Sequence, residues 1–147
     1  MVRCGMFAYE NDSAIIIRKA PMSSNEIQAK RCGFKGVIFA TKDNYFLAMR
    51  IGEGRGRFKR AVKKLSKDYR LPFLSDCNII YLYHTVLCEA FKKMHLNLNK
   101  YNEYFYVETK ISNEESPCVF NFMQGSPVNS NPKSASAGSI QIIEIKK

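Results

Sequence analysis

Residues 36–51 constrain the fold most. Gly36-Val-Ile-Phe-Ala-Thr41 and Tyr45-Phe-Leu-Ala-Met-Arg-Ile51 are β-prone runs, and only Lys42-Asp-Asn44 separates them. That pattern reads as a β-hairpin. A hairpin with apolar residues needs further elements to cover it, and the flanking sequence supplies them. Residues 3–9 and 13–18 are apolar runs divided by Glu10-Asn11-Asp12, a second expected hairpin. Ala14-Ile-Ile-Ile17 is short and β-branched, which favours a strand that Pro21 then ends. Ser23-Ser-Asn-Glu26 has capping-box spacing, so a short helix is expected up to Cys32, with Gly33 as its left-handed C-cap.

After the main hairpin, Pro72 and Ser75-Asp76 read as a loop. Asn78-Ile-Ile-Tyr-Leu-Tyr83 is almost continuously apolar and reads as a central strand. Val86, Leu87, Ala90, Phe91 and Met94 keep helical spacing. Residues 101–109 are aromatic and β-prone. Residues 112–138 turn toward Ser, Asn, Pro and Gly, the composition of a long loop or arm. Ser139-Ile-Gln-Ile-Ile-Glu-Ile145 returns to a strand pattern and is expected to pack back as a sheet edge. The expected fold class is α+β: a mainly antiparallel sheet with two or three helices on one face and a ferredoxin-like core. The domain reading is a core over 1–111, an arm over 112–138 and a C-terminal strand over 139–147.

Charge is distributed unevenly. The chain carries +10, and residues 50–70 hold nine Lys/Arg against two acids. The run opens on Gly52, Gly54 and Gly56, which read as a hinge. Glycines before a helix let backbone N–H groups gather into an anion seat, flanked here by Arg55 and Arg57. At 100° per residue, Phe58, Ala61, Val62, Leu65 and Tyr69 share one side of the helix that follows. Lys59, Arg60, Lys63, Lys64, Lys67 and Arg70 fall on the other. Like charges four residues apart cost a few tenths of a kcal/mol each, and phosphates would relieve them. The expected partner is therefore RNA or DNA. An acidic protein partner and a merely solvated face are the alternatives.

Catalytic and metal signatures are weak. Cys4, Cys32, Cys77, Cys88 and Cys118 form no Cys-x-x-Cys pair, so no structural zinc is expected and reduced thiols are. His84 and His95 lack metal spacing. Glu108-Thr-Lys110 and Glu144-Ile-Lys146 echo part of a nuclease site without a supporting Asp. Cys77 or Cys88 beside His84 is a generic thiol–imidazole pairing. No stretch approaches the roughly 20 apolar residues that span a bilayer. The expectation is a non-enzymatic protein without a cofactor, intracellular and cytoplasmic or nuclear. The alternative is a protein-interaction module, a viral host-interaction factor or assembly adaptor, using the arm and a sheet edge. That module would engage another protein or form a homo-oligomer.

Gly36-Val-Ile-Phe-Ala-Thr-Lys-Asp-Asn-Tyr-Phe-Leu47, then Gly52-Glu-Gly54, an amphipathic helix and an Ile-rich strand, resembles the middle of BLUF-like ferredoxin-fold domains. The resemblance covers residues 33–83 and implies a ferredoxin-like scaffold. The family's flavin-binding Gln is absent, with Ala48 or Arg50 at its place, and its first-strand Tyr falls on Ile15–Ile17. The resemblance therefore implies no flavin and no photochemistry.

Overall fold

The computed structural model describes residues 1–12, 14–52, 58–98, 104–107, 118–122, 125–129 and 138–147. For Phe58, Lys59, 104–107, Cys118, Val119, Val128 and Asn129 it describes the backbone alone. Strands β1 (Phe7–Glu10) and β2 (Ile15–Arg18) form the first hairpin. Asn11 makes its turn: its amide donates to the Ala14 carbonyl at 3.1 Å, and its side-chain oxygen accepts the Ala14 amide at 2.9 Å. Helix α1 (Ser24–Lys30) starts at Ser23, whose hydroxyl oxygen accepts the Glu26 amide at 3.2 Å. Glu26 pairs with Arg18 and, at 3.3 Å, with Lys30, so cations and not the expected return bond to Ser23 claim its carboxylate. The left-handed C-cap is Arg31 at φ 52°, and Gly33 instead begins strand β3 (Gly33–Thr41). Strand β4 (Tyr45–Ile51) completes the main hairpin.

Helix α2 (Phe58–Lys63) is followed by the two-residue strand β5 (Tyr69–Arg70), then by helices α3 (Leu74–Leu82) and α4 (His84–Lys93). Asn78–Tyr83, expected as a central strand, is helical through Leu82. An apolar run this short suits a buried strand and a buried helix equally, and periodicity does not separate them. Here Asp76, expected in a loop, accepts the Phe73 amide at 2.8 Å and opens the helix. Cys77 and Ile80, three positions apart, are both fully buried on one side of it. Strands β6 (Tyr104–Val107), β7 (Cys118–Asn121) and β8 (Ser126–Asn129) form a small antiparallel sheet, so part of 112–138 is strand. The rest of that stretch, 112–117, 123–124 and 130–137, lies outside the described residues.

Strand β9 (Ile140–Lys146) joins the large antiparallel sheet, whose order is β2-β1-β3-β4-β9-β5. The C-terminal strand was expected at an edge, but every residue of β9 pairs with β4, and β5 flanks its other side at Ile142 and Ile143. Its composition explains this. Ile140 and Ile142 are buried on one face of the sheet and Ile143 and Ile145 on the other, which suits an interior strand. The expected β-α-β-β-α-β succession ended on Asn78–Tyr83, which is not a strand; the structure offers only β2-α1-β3-β4-α2-β5 in its place, within a six-stranded sheet, and a ferredoxin-like core is not shown. The last strand of this succession is Tyr69–Arg70, and β1 and β9 stand between its members in the sheet.

The first face carries Phe7, Tyr9, Val37, Phe39, Leu47 and Met49 against Ile80 of α3 and Leu87 and Phe91 of α4. Ile27 of α1 packs at the margin of this cluster. Phe120 and Phe122 bring the small sheet onto it, with Phe120 edge-on to Tyr81 at 6.5 Å. Gly125 is required there: at φ 70° its Cβ would stand 2.6 Å from the Tyr81 ring. The second face is built from Ala8, Ile38, Ala48, Ile143 and Ile145, with Tyr69 over them and Leu65, just past α2, at its margin.

Candidate polyanion site

The basic run lies over this second face, and its geometry differs from one continuous helix. Beyond Lys63, the Lys64 and Leu65 amides make the last helical bonds, to Arg60 and Val62, at 3.0 and 3.2 Å. Asp68 then takes a left-handed conformation at φ 72°, and Tyr69 enters the sheet beside Ile143. Burial of the Tyr69 ring and its strand pairing override helical propensity here. Lys67 therefore lies past the helix, and Arg70 leaves the cationic face. Arg70 bonds the buried Asp76 at 2.6 Å, donates to the Leu71 carbonyl at 3.2 Å and lies 4.0 Å over the Phe73 ring. It fixes the β5–α3 junction.

What remains of the expected strip is Arg60, Lys63, Lys64 and Lys67. All four are exposed, and none has an ion-pair partner among the described residues. Ala61 is buried, as expected, whereas Val62 is 44% exposed. Lys59 lies in α2 by its backbone. Arg55, Arg57, Gly54 and Gly56 lie outside the described residues. Gly52 is described and does not serve as an anion seat. Its amide donates to the Ser139 carbonyl at 2.8 Å, and a Cβ there would collide with the Ser139 side chain. Its lack of a side chain lets the chain leave β4 past the start of β9.

Beside these cations the structure places a residue that sequence reasoning counted only as charge. Arg50 projects from β4 onto the second face, its guanidinium carbon 3.6 Å from the centre of the Tyr69 ring. Its Nε donates to Gln141 Oε1 at 2.7 Å and its Nη2 to Ser66 Oγ at 2.9 Å. Gln141 in turn donates from Nε2 to the Lys64 carbonyl at 3.4 Å, which ties the end of α2 to β9. The Tyr69 hydroxyl donates to the Lys35 carbonyl at 2.7 Å. Since β4 and β9 lie between β5 and β3, the sheet must curl around its second face for this bond to form. Burial pushes the Tyr69 phenol upward, against the opposing pull of Arg50. Arg50, Ile51, Gly52, Lys64, Ser66 and Gln141 line a cavity of about 440 Å³. Among the described residues its wall holds two cations and no carboxylate. A larger cavity, about 700 Å³, adjoins Tyr69 and mixes charges: Glu10, Asp68 and Glu144 with Lys35, Arg70 and Lys146. Gln141 is 91 residues from Arg50 in sequence, and no local motif announces that pairing.

The other candidates are distributed otherwise. Cys88 Sγ lies 3.6 Å from His84 Nε2, so the two do meet, one helical turn apart on α4. The His84 ring stacks on Phe122 at 5.7 Å and 9°, an orientation set by packing. Burial pushes the Cys4 thiol up to about 11, so it is a poor nucleophile near neutrality. Among the described residues no group of three His, Cys, Asp or Glu side chains could hold a metal. Glu108 and Lys110 lie outside the described residues, and Glu144 and Lys146 are exposed on β9. Tyr81 and Tyr83, expected on a strand, stand on α3 and at its end, each 43% exposed. Tyr101 and the side chains of Tyr104, Phe105 and Tyr106 lie outside the described residues. Among the described residues no helix is long and apolar enough to cross a membrane. No protein-family model matches the sequence, and no curated protein matches it.

Proposed function

We propose that the protein is a non-enzymatic, intracellular nucleic-acid-binding protein that contacts RNA or DNA phosphates through Arg60, Lys63, Lys64 and Lys67. Lys59, Arg55 and Arg57 belong to the same basic run in the sequence. The observation that carries the reading is four exposed cations without acidic partners among the described residues, beside a cavity whose two charged wall residues, among those described, are both cations. Such a surface gains from releasing the counterions condensed on a nucleic acid, so binding weakens steeply as salt rises. In a fluorescence-anisotropy titration with mixed-sequence RNA and DNA, affinity should fall about tenfold or more between 50 and 200 mM salt for about three or more neutralised phosphates. Reversal of Arg60, Lys63, Lys64 and Lys67 to Glu should abolish that binding while leaving the circular dichroism spectrum intact. Salt-independent binding, or full binding by the reversed protein, contradicts the reading.

A second reading, a protein-interaction module, draws on β9. Past Ile143 that strand has no partner on its β5 side among the described residues, leaving Glu144–Lys146 open to strand addition. Concentration-dependent light scattering that fits a homo-oligomer would favour it, and a monomer at every concentration would count against the homo-oligomeric form.

A further inference from the structure

We infer that the Arg50 cavity receives a phosphate monoester, the terminal phosphate of a nucleic-acid chain or of a free nucleotide, and is not a stretch of the phosphate rail. The inference rests on the polyanion reading and adds a distinct ligand to it. Three observations carry it. The first is rigidity. The Tyr69 ring covers one face of the Arg50 guanidinium, and Gln141 and Ser66 fix Nε and Nη2, so the fork is held before any ligand arrives. Arg60, Lys63, Lys64 and Lys67 are exposed and have no such support among the described residues. The second is donor supply. Arg50 has five N–H donors and spends two on these bonds, which leaves three. Ser66 Oγ accepts from Arg50, so its own proton is free to donate. Lys64 also lines the cavity. These donors suit a group with three terminal oxygens better than an internal diester with two.

The third observation is charge. Among the described residues the lining holds Arg50 and Lys64 and no acid, a formal +2. A monoester carries about −1.5 to −2 at pH 7, whereas each internal diester carries only about −1. The mixed-charge cavity beyond Tyr69 has no such match. A cavity of about 440 Å³ also falls within the range of small-ligand pockets and leaves room for the sugar attached to the phosphate.

The test compares oligonucleotides of one sequence bearing a 5′-phosphate, a 3′-phosphate or hydroxyl ends, with adenosine monophosphate and inorganic phosphate as small-ligand arms. Isothermal titration at moderate salt should show a phosphorylated end binding about tenfold tighter than the hydroxyl-ended strand, the scale of a charge-assisted bidentate contact. Arg50→Lys keeps the charge but loses the fork, and it should bring that ratio to about one. Lys64→Gln, at an exposed position, gives a second measurement that does not depend on the fold tolerating a change at Arg50, and it should lower the ratio. The preference should also fade below about pH 6, where the dianionic monoester takes up a proton and becomes a monoanion. Equal affinity for phosphorylated and hydroxyl ends, with salt-sensitive binding intact, overturns this inference and leaves the polyanion reading standing. Binding of adenosine monophosphate that Arg50→Lys abolishes, with no binding of any oligonucleotide, supports the cavity, names a free nucleotide as its ligand and overturns the polyanion reading. No binding of any of these ligands overturns both.

Discussion

The two faces of the large sheet are built on different principles. The first face is large, apolar and fully covered: Phe7, Tyr9, Val37, Phe39 and Met49 have almost no exposure beneath α3 and α4. The second face has small residues at its centre, Ala8 and Ala48 beside Ile38, and polar residues around them. Arg50, Gln141 and Tyr69 are joined there by hydrogen bonds and a cation–π contact that tie β3, β4, β5, β9 and the end of α2 together. The apolar face supplies stability by removing surface from water, and almost any close-packed set of side chains would do so. The polar face supplies position. A buried network is stable only when its members are satisfied, so each partner is specified. The exposed cations Arg60, Lys63, Lys64 and Lys67 stand on this second side, and the first face is their scaffold.

The strongest break of this arrangement is removal of β9, which serves both faces. A chain ending at Gly138 loses Ile140 and Ile142 from one core and Ile143 and Ile145 from the other, with the whole β4 ladder. It should show no cooperative thermal transition by circular dichroism, and a folded truncated monomer would contradict the interior placement of the strand. Next comes the first face alone. Phe39→Ala should cost about 3–5 kcal/mol in urea unfolding, and molecules still folded should bind nucleic acid unchanged. On the second face, Tyr69→Phe removes the bond to the Lys35 carbonyl but keeps the ring beneath Arg50. It should cost about 1 kcal/mol. A loss as large as that at Phe39 would show that the polar network carries stability as well as position.

The smallest effect lies at the margin. Glu26 is held below the usual carboxylate range first by its hydrogen bond from Arg18, with Lys30 adding to it. A depressed carboxylate contributes stability that is present above its unfolded value, near 4.5, and is lost as pH falls through the lower folded value. Glu26→Gln should therefore narrow the gap between stability at pH 6 and at pH 3. An unchanged pH profile would mean that the half-buried pair contributes nothing measurable.

Much of the fold was legible from neighbouring residues. The two hairpins follow from β-prone runs separated by turn residues. The start of α1 follows from Ser23, and α4 from helical spacing between Val86 and Met94. The cationic surface was half legible. Arg60, Lys63 and Lys64 are exposed as the helical projection expects, while Lys67 lies past the helix and Arg70 leaves the cationic face, because Tyr69 is drawn into the sheet. Asn78–Tyr83 was misread because a short apolar run has no period from which to choose between strand and helix.

The sequence by itself determined that the chain makes antiparallel hairpins with helices, and that its positive charge is concentrated between residues 50 and 70. Those are local properties, set by spacing and by residues within a few positions of one another. Only the tertiary structure decided that the last strand runs through the middle of the sheet, that Arg70 is spent on Asp76, and that Arg50 is held by Gln141. The Arg50–Gln141 contact spans 91 residues, and the strand that carries Gln141 is specified by two buried faces at once. Burial on both faces is a property of the assembled sheet, and no window of sequence contains it.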